Sequence, residues 1–450
     1  SIDKNPVLLV KISDNVYIDE DEPSLLLIGV PHAEEILGLE ICIKIIRELV
    51  TNYGLDSLKT SYVNNNEIYL FPCLNPDGHS VVTSDICYIW RKNKRDNNKN
   101  GTFDYKCYTE GRGDGVDLNR NYNYLFDKAG SSEDTSEYYR GPYPFSEPET
   151  EAVRRICEIE NFLIAIDYHS ARTGFTEVIY YPWRYGSSLC PDFPFISEIA
   201  DSFADKLPRD DSLSNYITMV TSRELGGFFR NWIYSEKGTF SFTVEVSDTT
   251  IPPVYKIKNI TEKHAKAFYY LLERMHRKVL KVKVKDSITN IPLSAEVKIT
   301  EIDTSLRVKH FTGEKDGEIY RILKEGEYSL FISKEGYLSK TLSFKIEKNK
   351  ITEINVFLYP VIRDTYPEDV EIIENISKNS LRLIFWVRGK REKINLIIYD
   401  LSGKKILNYN TFKEPGFYRE SFDISLPSGK YIGIITKGEK KLKKEFIIFK

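Results

Sequence analysis

Near residue 280 the hydrophobic periodicity of this 450-residue chain changes character, and a domain boundary is expected there. Before that point, compact apolar runs of strand length alternate with segments of helical spacing. After it, nearly everything reads as short alternating strands separated by turn residues. A chain this long also exceeds one ordinary core, so three units are expected: residues 1–278, 279–360 and 371–450.

In the first unit, Val7-Leu8-Leu9-Val10, Leu25-Leu26-Leu27-Ile28, Ile68 to Phe71, Phe162 to Ile166 and Phe240 to Val246 read as strands. Such runs, apolar without alternation, suit a sheet covered on both faces. Leu39, Cys42, Ile43, Ile46 and Val50 follow helical spacing, and Thr261 to Val279 reads as a closing helix. The fold class is therefore α/β. The two later units read as all-β: Val282-Lys283-Val284, Glu327 to Ile332 and Gly336-Tyr337 belong to a small antiparallel sandwich. A polar stretch with Asp364 and Pro367-Glu368-Asp369 separates it from strands at Leu381 to Val387 and Ile394 to Tyr399, with turns at Ser402-Gly403 and Ser428-Gly429.

Hydrophobic residues make up 41% and charged residues 29%, a globular balance. A net charge of -3 provides no global positive field, so nucleic acid is not an expected partner. No apolar run approaches the roughly 18 to 20 residues of a membrane helix. Ser1 is followed by polar Asp3, Lys4 and Asn5, which does not read as a signal peptide. Of the six cysteines none forms a CxxC pair; Cys42 reads as a buried hydrophobe, while Cys87 and Cys107 flank a loop and have the option of pairing in an oxidising compartment.

His32 and Glu35 stand three apart just after the strand Leu25 to Val30, where both side chains can point one way. His169 closes the strand that begins at Phe162, at the end where open α/β sheets hold ligands. His, Glu and His form a known three-ligand zinc set that leaves a position open. The alternation of Phe240 to Val246 puts Glu245 opposite the apolar face, where a carboxylate suits a base that takes a proton from water. His79, His264, His276 and His310 are expected at the surface. Asp96-Asn97-Asn98-Lys99-Asn100-Gly101 with Asp104 resembles the start of a calcium loop, but Cys107 holds the closing position, so a polar surface loop is expected.

His32-x-x-Glu35, Asn75-Pro76-Asp77-Gly78, Trp90-Arg91-Lys92-Asn93, Asp117-Leu118-Asn119-Arg120-Asn121, Pro144 to Glu149, His169-Ser170 and Glu245 occur in the order and approximate spacing of the zinc metallocarboxypeptidases of the funnelin type. The resemblance covers roughly residues 5 to 278. It implies a mixed central sheet flanked by helices, one Zn2+ per chain on His32, Glu35 and His169, Glu245 as catalytic base, and peptide or protein C-termini as substrates. It implies that Asn119 and Arg120 bind the substrate's terminal carboxylate and that Arg91 makes a secondary contact. A planar guanidinium suits a carboxylate because it offers paired hydrogen bonds.

The chain departs from this pattern twice. Lys94 holds the position of the arginine that polarises the scissile carbonyl, so the role is expected of Lys94 or Arg95. Thr221 to Gly227 contains no counterpart of the mobile capping tyrosine, and Tyr216 is the nearest candidate. Counting back from Glu245 puts Arg230 at the base of the specificity pocket, which implies preference for an acidic C-terminal residue; a one-residue gap at the glycines instead turns Arg230 to solvent.

Residues 280–360 resemble the transthyretin-like, carboxypeptidase-regulatory sandwich through Gly326-Glu327-Tyr328 and Lys334 to Tyr337. Residues 371–450 resemble C-terminal sorting or attachment sandwiches of secreted bacterial proteins, through Ile397 to Lys404 and Leu426 to Tyr431. This implies a secreted or cell-surface protein, with cell-surface or secretion-machinery contact through the last unit. Two other functions fit the same residues: a peptidase for cell-wall peptides containing D-Glu or diaminopimelate, and an adhesion protein whose zinc-site catalysis has decayed.

Overall fold

A computed structural model describes the chain except for residues 19, 108–112, 171–173, 305–307, 362–369, 376–379, 388–390, 415, 424–426, 428, 439 and 449–450. The polar stretch around Asp364 and Pro367 to Asp369, and Ser428, lie outside the described residues. Two compact units result, Ser1–Pro360 and Val361–Lys450.

The first unit is organised on an eight-stranded sheet among the described residues. Its strands are β1 (Val10–Ile12), β2 (Ser24–Ile28), β3 (Glu67–Phe71), β4 (Ile164–His169), β5 (Val178–Tyr185), β6 (Ser188–Leu189), β7 (Ile217–Ser222) and β8 (Phe240–Glu245). Their order is β1-β3-β2-β4-β8-β5-β6, with β7 also on β5. The β3-β2-β4-β8 centre is parallel, while β1 and β5 join it antiparallel, so the sheet is mixed. Every residue of β2 and β4 is buried, which explains their unbroken apolar runs.

Seven α-helices surround this sheet among the described residues: α1 (Leu37–Asn52), α2 (Ser57–Val63), α3 (Pro76–Thr83), α4 (Pro148–Ile159), α5 (Phe193–Ala204), α6 (Phe229–Lys237) and α7 (Val254–Arg274). Helix α1 meets the face of β4 that carries Tyr168, against which Gly38 packs. The alternate residues Asp167 and His169 occupy the opposite face.

Three expected elements shift. The first strand begins at Val10, and Leu8 is 63% exposed, because the pairing partner of Val10 is Leu70 near the end of β3. In α1 the buried stripe is Leu37, Ile41, Cys42, Ile45 and Leu49, while Ile43 and Val50 are exposed. The helix is apolar around much of its circumference, so spacing alone does not choose the face. Helix α7 starts earlier than expected and ends at Arg274, and Val279 opens a strand.

That strand, β9 (Val279–Asp286), lies between β11 (Glu318–Ile322) and β14 (Ile351–Leu358), while β10 (Glu296–Ile299), β12 (Gly326–Ser333) and β13 (Lys340–Ile346) form a second three-stranded sheet. The expectation of a wholly antiparallel arrangement is corrected here: β14 runs parallel to β9 over eight residue pairs. His310 and His264, expected at the surface, are buried. His310 lies with Asp192 and Asp303 in a convergent cluster, but Arg321 already supplies its positive charge, donating twice to Asp303 and once to Asp192, each at 2.9 Å.

Burial pushes the Asp303 carboxyl up, yet Arg321 and His310 overcome it and hold it well below the usual range. A depressed carboxylate stabilises the fold above its ordinary value near 4 and loses that contribution as the pH falls through the folded-state value. Arg321→Met therefore lowers the unfolding free energy by about 3–5 kcal/mol at pH 7, because two buried carboxylates lose their counter-charge. The deficit shrinks below about pH 4 as Asp303 protonates. Urea unfolding of both proteins at the two pH values checks this; coincident curves at pH 7 refute it.

The second unit carries β15 (Val370–Asn375), β16 (Ser380–Val387) and β19 (Gly416–Asp423) in one antiparallel sheet. β17 (Glu392–Asp400), β18 (Lys405–Lys413), β20 (Gly429–Lys437) and β21 (Lys440–Ile448) form the other. Leu383, Val387, Ile394, Leu396, Ile398, Tyr431 and Ile435 form its core.

Candidate active site

The site is assembled at the end of β2, where the chain must turn sharply into α1. A Cβ at Gly29 would lie 2.5 Å from the Pro72 carbonyl oxygen, and one at Gly38 would lie 2.9 Å from the Gly29 Cα. Two glycines therefore permit the close approach that brings the intervening His32 and Glu35 over the sheet. The Ala33 N–H donates to the Arg91 carbonyl at 3.1 Å, tying this turn to the Trp90-Arg91 segment.

His32, Glu35 and His169 converge although 137 residues separate the histidines. His32 Nδ1 lies 2.9 Å from Glu35 Oε1, His169 Nδ1 lies 2.8 Å from Glu35 Oε2, and the two Nδ1 atoms are 3.0 Å apart. The outer ring nitrogens are anchored by carboxylates: His32 Nε2 is 3.1 Å from Asp117 Oδ1, and His169 Nε2 is 2.9 Å from Asp167 Oδ2. Burial pushes Glu35 up, but His32 and His169 hold it well below the usual carboxylate range. Burial pushes His169 down, and Glu35 with Asp167 reverses this to about 10. The cluster thus turns two inward-facing imidazole nitrogens and one carboxylate toward a single point, where a bound cation in place of a proton satisfies all three. That is the donor set of a divalent cation such as zinc, with the outer-shell carboxylates that orient histidine ligands.

Glu245 is the register partner of His169 on the adjacent strand. Its Oε2 is buried and accepts no hydrogen bond among the described residues. Burial raises its carboxyl to about 7, with His169 opposing and Glu35 adding to the shift. A buried carboxylate with a free oxygen beside the cluster suits a proton acceptor and donor.

Of the three neighbouring cations, Arg91 is the one at the cluster. Its Nε donates to Asp117 Oδ2 at 3.0 Å, and its Nη1 lies 3.5 Å from Glu35 Oε1. Lys94 pairs with Asp3 and lies over the Phe103 ring, while Arg95 pairs with Glu147 at 3.0 Å. The expected carbonyl-polarising cations are thus engaged elsewhere, because each finds a local carboxylate before it reaches the centre.

Asn119 and Arg120 sit on a 3-10 turn, Leu118–Arg120, capped by Asp117, which accepts the Asn119 N–H at 3.0 Å. Asn119 Nδ2 lies 3.0 Å from His169 Nε2, and its Oδ1 accepts the Phe229 N–H at 2.9 Å. The Arg120 guanidinium lies 4.1 Å from the Phe228 ring centre and 5.6 Å from that of Tyr138.

Arg230, in the first turn of α6, is 4% exposed, which overturns the solvent-facing alternative. It donates to Thr243 Oγ1 at 2.9 Å and Thr221 Oγ1 at 3.3 Å, and lies over the Phe228 and Tyr180 rings. It forms no ion pair among the described residues, and burial lowers it to about 10. Thr243 in turn donates to Asp167 Oδ1 at 2.6 Å, so Arg230 is linked to the partner of His169. Tyr216 is buried, its hydroxyl accepting the Ser247 N–H at 3.1 Å, and cannot act as a mobile cap.

Sequence reasoning missed Asp117 and Asp167. Asp167 precedes His169 by two on a strand and so shares its face, which period-two alternation does signal. Asp117 stands at the head of the Asp117-to-Asn121 motif, but its simultaneous contact with His32, Arg91 and the Asn119 N–H arises only in three dimensions. The Cys87–Cys107 pair is disulfide-bonded. In the Asp96-to-Asp104 loop, Asn98 and Asn100 amides donate to Asp104, and the Gly101 N–H donates to Asp96.

Comparison with known proteins follows the same lines. The zinc carboxypeptidase family model matches residues 1–267. Mouse (Mus musculus) carboxypeptidase A4 is 29% identical over 253 residues, covering 55% of this chain and 56% of that protein. Human (Homo sapiens) carboxypeptidase D is 24% identical over 380 residues, covering 80% of this chain but 25% of that protein. The chain thus spans about half the length of the first relative and a quarter of the second. Carboxypeptidase A from Helicoverpa armigera superimposes with a TM-score of 0.50 at 22% identity, covering 59% of this chain and 64% of that one. Thrombin activatable fibrinolysis inhibitor does so with 0.51 at 24%, covering 60% and 66%. These two share the fold. With the family model spanning more than half of its length, the chain belongs to the zinc carboxypeptidase family.

Proposed function

We propose that this protein is a zinc-dependent carboxypeptidase that removes the C-terminal residue of peptides, with a preference for acidic residues there. The observation that carries the reading is the convergence of His32, Glu35 and His169 beside the unpartnered Glu245 carboxylate. His32, Glu35 and His169 would hold one Zn2+, which would supply the positive charge that polarises a carbonyl and makes water more acidic. Glu245 takes a proton from water and returns it to the leaving amine. Arg91, the cation beside Glu35, takes the carbonyl-facing role that the sequence assigned to Lys94 or Arg95. Arg120, seconded by Asn119, receives the terminal carboxylate in paired hydrogen bonds. Arg230, buried and in no direct ion pair among the described residues, receives the acidic side chain.

Stoichiometric zinc, and release of the terminal residue from a free-acid peptide that stops on chelation and returns with added zinc, is the expected result. The same peptide with an amidated C-terminus is expected to be cleaved at least about 100-fold more slowly, since the guanidinium loses its ionic partner. Chelator-resistant cleavage rejects the assignment. Peptides containing D-Glu or diaminopimelate present the same carboxylate chemistry and belong in the assay as a rival substrate class.

The Cys87–Cys107 disulfide supports an oxidising, secreted or cell-surface setting. The last unit, whose described residues form two antiparallel sheets, is proposed as a targeting or attachment module.

A further inference from the structure

Tyr138 lies in the loop between the Arg120 turn and α4, and is 49% exposed. Its ring centre is 5.6 Å from the guanidinium carbon of Arg91 and 5.6 Å from that of Arg120. One aromatic ring therefore lies near both cations, and the Phe228 ring centre is 4.1 Å from the guanidinium carbon of Arg120. The backbone holds the ring in place: the Tyr138 carbonyl accepts the Ser131 N–H at 2.9 Å, and its N–H donates to Ser136 Oγ at 3.2 Å. Its hydroxyl makes no hydrogen bond among the described residues.

A guanidinium that lies over an aromatic ring keeps its N–H edges available in its own plane, which is where a carboxylate binds. Of Arg120's donors, one is spent on the Asn119 carbonyl at 2.9 Å. Tyr138, with its ring centre 5.6 Å from the guanidinium carbon, stands near the donors that remain. We propose that Tyr138 contacts the substrate: its hydroxyl donates to the terminal carboxylate held by Arg120, and its ring screens that ion pair from water. The inference rests on the carboxypeptidase reading and adds a substrate contact that the motif pattern does not contain.

A tyrosine that merely covers two arginines makes its contribution through the ring, and loss of the hydroxyl leaves binding unchanged. Tyr138→Phe separates the two cases. In the zinc-loaded full chain, with peptides ending in Glu and in Phe, Tyr138→Phe is expected to raise KM about five- to tenfold with kcat within twofold. Tyr138→Leu, which also removes the ring, is expected to raise KM further. Calorimetric binding of L-glutamate and L-phenylalanine to chelator-treated protein is expected to weaken in the same order, a readout independent of turnover. Unchanged KM and unchanged amino-acid affinity in a Tyr138→Phe protein that melts like the wild type overturn the proposal while leaving the carboxypeptidase reading intact. Wild-type protein that shows no zinc-dependent release overturns that reading, and this one with it.

Discussion

Glu245→Gln is expected to lower kcat for release of a C-terminal residue by about 10³-fold or more, with zinc content unchanged and KM within about threefold. Glutamine keeps the shape and one oxygen but cannot take a proton. The size of the effect follows from the geometry. The Glu245 side chain is register-paired with His169, its Oε2 is buried without a hydrogen-bond donor, and burial holds the carboxyl near 7 instead of its ordinary value. Nothing else in the cluster is placed to substitute, because Glu35 faces the two histidines and Asp117 and Asp167 are spent on their outer nitrogens. Metal analysis beside the kinetics keeps loss of zinc from imitating loss of the base. A variant with full zinc and near-wild-type kcat removes Glu245 from the chemistry.

Arg230→Met carries the second large effect, in selectivity. The wild type is expected to prefer a peptide ending in Glu over one ending in Phe, and the substitution to cut the ratio of their kcat/KM values by about 10² or more. Among the described residues this buried guanidinium donates to two threonine hydroxyls and lies over two aromatic rings, and Asp167 and Glu245 offset its burial without pairing with it directly, so it is under-compensated. An incoming carboxylate relieves that cost, whereas an apolar side chain leaves it in place. The folded protein is expected to tolerate the change well, since it loses an unpaired buried charge and gains an apolar side chain of similar volume. A wild type that favours Phe or Lys endings, or a variant with unaltered selectivity, ends the acidic-pocket reading. Arg230 also connects to the candidate metal cluster, because Thr243 joins it to Asp167 and so to His169.

How far the site was legible can be judged from particular residues. His32 and Glu35 stand three apart after an apolar strand, and His169 ends another, so their chemistry was visible in local pattern. Glu245 was visible because strand alternation separates it from Phe240, Phe242, Val244 and Val246. The choice among Arg91, Lys94 and Arg95 was not. All three cations lie within five residues, and which one faces the centre depends on where Asp3, Glu147 and Asp117 arrive from distant segments. His310 was misjudged for the same reason: its partners Asp192 and Asp303 come from other elements.

By itself the sequence determined the α/β character of the first part, the strand-rich character of the remainder, and which two histidines and glutamate converge. These are carried by periodicity and by residue types whose chemistry is intrinsic. Only the tertiary structure decided which face of α1 is buried, that β14 runs parallel to β9, that Arg230 is enclosed, and which cation stands beside Glu35. Burial and charge pairing are properties of neighbours brought together from far along the chain, and no local window of residues contains them.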